Sequence, residues 1–357
     1  MSIKGLTATM IFEASALNRD EKIGGNILSI KKLSTSRGIY SFIGRPAVRY
    51  SLFTSLYELF NWQEAPVKLA KDKVIQFDFP EANIVTYPEM DFFGYMCTSK
   101  GEDGPSIIRK APLGITKAIS LEPWQADMAF YANHDMLRRL REMGEAGEPN
   151  PYQKEEHYSL YKVSFTIDLS RLGYQELFYT ALPDMMEGYL DTLNKVNPNK
   201  VDTGEYSRQV DQVKEWYEIV DDNKALQGYI GVEKAKKHTR MVFIVDEKER
   251  QRRLLQLLTV IKNGIMYHSS TENYGLIPLF IVMGSLRLPV PLFHSALRMQ
   301  EGKLEASRLN QALENEYIIK FYTGGPMSTE ILIEDKKKED EWSKFLQTMN
   351  LNISEVL

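Results

Sequence analysis

Lys4, Arg19, Lys22, Lys31, Lys32, Arg37, Arg45 and Arg49 put eight cations into the first fifty residues, against Glu13, Asp20 and Glu21 alone. That is a local surplus of +5 on a chain whose total is −4, so the remainder carries −9. A positive patch on an acidic body concentrates attraction for a polyanion that a uniformly basic chain would spread. The spacing adds to this. Gly24-Gly25 break the basic loop, Gly44-Arg45 lead into a helical pattern, and Pro46 suits a first helical turn. A helix start offers unpaired N–H groups and the positive end of its dipole, which favours a phosphate held between Gly44 and Arg49. The plainer alternative is that these are ordinary solvated charges.

Other chemistry is missing. No GxxxxGK[ST], HExxH, GxSxG or paired CxxC occurs in the sequence. His134, His157, His238, His268 and His294 lack metal-ligand spacing, and Cys97, the single cysteine, excludes an internal disulfide and fits a reducing compartment. The aromatic RNP motifs of ordinary RNA-recognition domains are also absent. At 357 residues, with 43% hydrophobic and 26% charged residues, the chain reads as soluble and globular, of about two domains or one with large insertions. No apolar run reaches the length of a membrane span, so the cytoplasm is the default location.

The elements that must position these residues follow from periodicity. Residues 3–14 alternate as a strand, with Leu6, Ala8, Met10, Phe12 and Ala14 on the face expected to be buried. Residues 45–61 read as helix one, from Val48, Leu52, Phe53, Leu56, Leu59 and Phe60. Residues 74–79 alternate weakly as a short strand, and 82–98 read as an aromatic extended segment in which Gly94 marks a bulge or a close backbone approach. Met96 beside it is either core filler or a side chain wedged against a flat ligand. Residues 100–156 form a long excursion, either an arm or a surface flap, with a strand-like piece at 115–120 and a short charged helix at 135–143. The clearest strand spans 158–169.

Residues 174–237 read as a peripheral helical insertion, helical at 185–194 and 209–221. A strand at 241–245, a helix at 247–263 and an apolar run at 276–283 follow. A polar helix ending near 314, a terminal hairpin over 317–333 and a solvated turn at 334–341 complete the chain. Reduced to its core this is strand, helix, strand, strand, helix, strand: an α+β chain in the βαββαβ order of ferredoxin-like and RNA-recognition folds.

At this point the residues resemble a known family. Leu17-Asn18-Arg19-Asp20 after the first strand, Gly24-Gly25, Gly44-Arg45 with Arg49, Asp91-Phe92-Phe93-Gly94-Tyr95-Met96 and Lys117-Ala118-Ile119-Ser120 are similar to the CRISPR-associated backbone subunit of Cascade, nearest the DevR-like branch of type I-B. The resemblance implies a modified RNA-recognition core with large insertions, shaped as a right hand with palm, fingers and thumb. It implies a palm start at 1–61, fingers or web at 62–114, a thumb at 115–156, the rest of the palm at 157–284 with its insertion, and a C-terminal part at 285–357. It implies further that copies polymerise along CRISPR RNA with other Cascade subunits, and leave the guide's bases free to pair with target DNA.

Carried over by motif, Asn18, Arg19, Lys22, Lys31, Lys32, Ser41, Gly44, Arg45, Arg49 and Lys117 are implied RNA contacts, and Met96 the wedge beside a displaced base. No cofactor, metal, catalytic residue or membrane contact is implied. Related backbone subunits of type III systems cut target RNA with an acid in the loop after the first strand. Here Asn26 follows Gly24-Gly25, and only Asp20 and Glu21 remain as nearby acids for that alternative.

Overall fold

A computed structural model describes residues 2–17, 19, 27–69, 73–97, 106–269, 272–300, 302–330, 333 and 335–352. Strand β1 (Gly5–Ser15) lies at its centre, paired antiparallel along its whole length with β13 (Tyr158–Asp168) and, on its other edge, with β21 (Phe280–Leu286). Its apolar alternation is as expected: Leu6, Ala8, Met10 and Phe12 join Val163 and Phe165 of β13 under helices α1 (Arg45–Phe60) and α5 (Glu247–Asn263). The opposite face is covered too, which a half-buried strand would not require. Ile11 packs with Phe280, Val282, Phe293, Leu309 and Phe321 in a second layer, and Thr9 satisfies its buried hydroxyl against Ser164 Oγ at 2.7 Å.

The main sheet runs β25 (Lys338–Glu339), β24 (Ile318–Gly324), β21, β1, β13, β10 (Ala118–Ser120), β4 (Gly38–Ile43), β3 (Lys32–Thr35), with β9 (Leu113–Ile115) also on β13. Helix α5 starts where Asp246 accepts from Lys248 N at 3.0 Å, carries Glu247 and Glu249 in its first turn, and stops at Gly264 with φ +129°. Among the described residues no helix is long and apolar enough to cross a membrane.

Several expectations are corrected. Residues 82–98 are not one extended segment. Pro88–Phe93 forms helix α2, with Pro88 at its first position and Glu89 and Asp91 in the first turn, where proline and acids favour a helix start over the strand that the aromatics suggest. Gly94, at φ +65°, then turns the chain into β7 (Tyr95–Cys97), which pairs with β8 (Ile107–Arg109). A Cβ there would lie 2.5 Å from Arg109 O, so the expected close backbone approach is real. Gly94→Ala is therefore expected to cost more than about 1 kcal/mol, from left-handed strain alone, and to lower the thermal midpoint measurably.

Residues 174–237 are chiefly a second antiparallel sheet: β14 (Tyr174–Tyr179), β18 (Thr239–Val245), β17 (Leu226–Lys234), β16 (Glu215–Val220) and β15 (Asn194–Val196), in that spatial order, with one helix, α4 (Asp184–Asp191). The acids of β16 suggested a helix, but Trp216 and Ile219 face cores on a paired strand, and pairing decides. The strand at 241–245 belongs to this sheet and not to the main one. The 276–283 run is split around Pro278: β20 (Asn273–Leu276) pairs with β19 (Ile265–His268) before β21 begins. The expected terminal hairpin is strand β24 followed by a 3-10 turn over Pro326–Glu330, and the turn at 334–341 contains β25.

Residues 113–120 lie in the main sheet, so the excursion proper starts after Leu121. It consists of β11 (Asp127–Tyr131), α3 (His134–Glu142) and β12 (Tyr152–Glu156), and β12 pairs in parallel with β2 (Ile27–Leu28). No residue of α3 is buried.

Candidate nucleic-acid interface

The mouth of α1 is built by three separate elements. Gly44 caps the helix in extended conformation (φ −64°, ψ 146°), Pro46 occupies its first turn, and no acid lies in that turn to neutralise the dipole. Arg45 is exposed there. Arg49, one turn on, lies 4.6 Å over the ring of Phe93 and donates from Nη2 to Glu89 Oε1 at 2.9 Å. Pairing of Ala118 with Ile43 brings exposed Lys117 beside Gly44, with its ammonium 4.5 Å over the Phe42 ring. Arg45 and Arg49 thus lie one turn apart on α1, with Lys117 just ahead of the strand that pairs beside Gly44. Met96, on β7, is 59% exposed and directly opposite Ile108 of β8, itself 67% exposed. It is not core filler.

The β7–β8 hairpin is held from below. Asp91, fully buried in α2, pairs with Arg109 Nη2 and accepts from Gly173 N at 3.0 Å, and Arg109 also donates to the carbonyls of Arg171 and Tyr174.

The remaining candidates are placed differently. Arg19 forms an isolated bridge with Ile30, and its side chain is only 9% exposed. Its Nη2 lies 3.8 Å from Glu272, and neither Nε nor Nη2 has a hydrogen-bond acceptor among the described residues. Lys31 is half-buried. Lys32 is exposed but ion-paired: Nζ donates to Glu155 Oε1 at 2.6 Å and lies 4.2 Å over Trp124. Ser41 is corrected from a surface contact to an interior one, since its buried hydroxyl is shared between His157 Nδ1 at 2.7 Å and Tyr161 OH at 2.6 Å. Asn18 and Lys22, like Asp20, Glu21, Gly24, Gly25 and Asn26, lie outside the described residues.

Glu155 ties the excursion to the basic loop. Burial pushes its carboxyl up, but hydrogen bonds from Lys32, Ser29 and Ile30 N outweigh this and hold it below the ordinary glutamate range. A carboxyl lowered in the folded state contributes stability above its unfolded value, about 4.3, and loses that contribution as pH falls through the lower folded value. Protection of the β12 amides, with the intrinsic pH dependence of exchange divided out, is accordingly expected to stay constant above about pH 5 and to fall below about pH 4. A loss of protection confined to pH 6–8 would place the control elsewhere.

Glu89, Glu155, Glu272 and the Asp91–Arg109 pair were missed in the sequence. Their partners are far away in the chain, and the only usable signal was the acid-rich first turn at Pro88-Glu89.

A chain described as "CRISPR RNA-guided surveillance complex, pre-nicking" superposes with a TM-score of 0.50 at 10% identity, over 97% of this chain and 98% of that one, a likeness of fold. A chain described as "CRISPR RNA-guided surveillance complex" gives 0.49 at 10% identity over the same shares. The mixed α+β fold is thus shared with the chain that superposes at 0.50. The family "CRISPR-associated negative auto-regulator DevR/Csa2" matches residues 6–308, and the chain belongs to that family. A protein of Myxococcus xanthus (strain DK1622), "CRISPR-associated protein Cas7/Cst2/DevR", is 25% identical over 191 residues. That alignment spans 51% of this chain and 63% of the relative, less than two thirds of its length.

Proposed function

We propose that this chain is the repeating backbone subunit of a Cascade-like surveillance complex of type I-B. In this reading it binds CRISPR RNA without regard to sequence and holds it for pairing with target DNA. The observation that carries the reading is the first turn of α1, which holds no acid, with exposed Arg45 in it, Arg49 one turn on, and exposed Lys117 just ahead of the strand that pairs with β4. A subunit that must accept any spacer needs phosphate and shape contacts and leaves base edges unread, which arginines and a helix mouth supply. The guanidinium of Arg19 supports it, because among the described residues its buried Nε and Nη2 have no acceptor and Glu272 at 3.8 Å supplies charge without a hydrogen bond.

Strand order supports it further. β21, β1, β13 and β9/β10 lie side by side, and with α1 and α5 they compose β1, α1, β9/β10, β13, α5, β21. That order supports reading the chain as a βαββαβ core of RNA-recognition type with the main sheet as its palm. The excursion after Leu121 serves as the thumb, the α2 and β7–β8 region as the web, and successive copies assemble along the guide with other subunits. The chain is a binding subunit and catalyses no reaction of its own.

Purifying the chain with the products of its neighbouring genes and sequencing the bound RNA tests this. Guides from every spacer, without bias in base composition, are expected. RNA-free protein, or a single preferred sequence, would overturn it. Complementary RNA incubated with the complex and Mg²⁺ is expected to stay intact, whereas site-specific cuts abolished by Asp20→Ala would favour the type III-like alternative.

A further inference from the structure

Three carboxylates sit on the basic residues of this interface, and they are not equivalent. Glu155 is saturated: Lys32 Nζ reaches one oxygen at 2.6 Å, and Ser29 Oγ (2.6 Å) and Ile30 N (3.0 Å) reach the other. It is a structural tie. Glu89 takes a single donor from Arg49 at 2.9 Å, and its second oxygen takes only a long bond from Ala65 N at 3.3 Å. Glu272 belongs chiefly to Lys154, at 2.7 Å, and stands 3.8 Å from Arg19, outside hydrogen-bond reach. It offsets the charge of Arg19 while Nε and Nη2 have no acceptor among the described residues.

We propose that Glu89 and Glu272 are internal place-holders for guide phosphates. They neutralise Arg49 and Arg19 in the RNA-free chain and give them up by exchange when a ribose-phosphate backbone arrives. The geometry makes the exchange cheap on the protein side. When the arginine leaves, Glu89 keeps Ala65 N and Glu272 keeps Lys154, so neither carboxylate is stranded. Arg49 keeps its stacking on Phe93 and needs to redirect only its N–H groups. The consequence is regulatory: free-chain affinity for stray polyanions is set low, and each exchanged pair withholds affinity that full occupancy of the site must recover. This inference rests on the proposed function.

The test uses the full chain and a long single-stranded RNA of mixed sequence. Glu89→Gln and Glu272→Gln are each expected to tighten binding on the order of fivefold, the scale of one partly exposed ion pair. Glu58→Gln, an exposed acid on α1, is expected to change nothing. The decisive reading is a double-mutant cycle, because a place-holder acts only through its arginine. The gain from Glu89→Gln is expected to vanish in an Arg49→Ala background, and that from Glu272→Gln in an Arg19→Ala background. A gain that persists there is through-space repulsion and overturns the proposal, as do unchanged or weakened affinities. If instead Arg45→Ala leaves RNA binding untouched, the proposed function itself fails, and the two failures are distinguishable.

Discussion

Arg45→Ala combined with Arg49→Ala is expected to weaken binding of single-stranded RNA on the order of 10- to 100-fold, by the same factor for every sequence tried. Charge-assisted hydrogen bonds to phosphate are each worth about 1.5–3 kcal/mol, and Arg49 first has to leave Glu89, which moderates its share. The helix mouth itself survives the substitution, because Gly44 and Pro46 are untouched and no first-turn acid is introduced. What is lost is therefore side-chain charge, and the salt dependence should become shallower by about 0.7 log units per phosphate contact removed. Arg45→Lys, which keeps a point charge but loses the fork, should fall between the two. Wild-type affinity and slope in a double variant with an unchanged circular dichroism spectrum would remove the helix mouth from the interface.

Asp91→Ala is expected to have the largest effect on stability, about 3–5 kcal/mol, because it leaves a buried guanidinium without its carboxylate. Asp91 is fully buried and the Arg109 side chain is 5% exposed, so water cannot replace the lost partner. Gly173 N loses its acceptor in the same step. The damage should spread to the β7–β8 hairpin, since Arg109 is its last residue and Gly94 packs its backbone against Arg109 O. Chemical unfolding followed by tryptophan fluorescence measures the first effect, and proteolysis rates within the hairpin the second. Asp91→Ala with Arg109→Met should recover much of the loss, because no lone charge remains buried. A double variant no more stable than Asp91→Ala would mean that the pair is not what holds the hairpin.

Reading by period worked where one strand or helix shows its burial in its own spacing. The alternation of 158–169 appears as β13, the 247–263 pattern as α5 with the same limits, and Arg45-Pro46 as the start of α1. It failed where neighbours decide. The acids of 209–221 look helical in isolation, yet β17 supplies a ladder for Glu215–Val220, and Asp91-Phe92-Phe93 look extended although Pro88 and Glu89 start a helix. Ser41 was read as a surface contact because nothing nearby in the chain announces His157 or Tyr161, which lie 116 and 120 residues away.

By itself, the sequence determined that a cluster of positive charge precedes an acid-free helix start on an otherwise acidic chain, since charge balance and turn chemistry are properties of neighbouring residues. Only the tertiary structure decided which of those cations remain open to a ligand. Arg49 meets Glu89 across 40 residues and Arg19 approaches Glu272 across a far longer loop, and Lys117 reaches the helix mouth because β10 pairs with β4. Such meetings depend on how the chain closes on itself, and residue spacing carries no record of that.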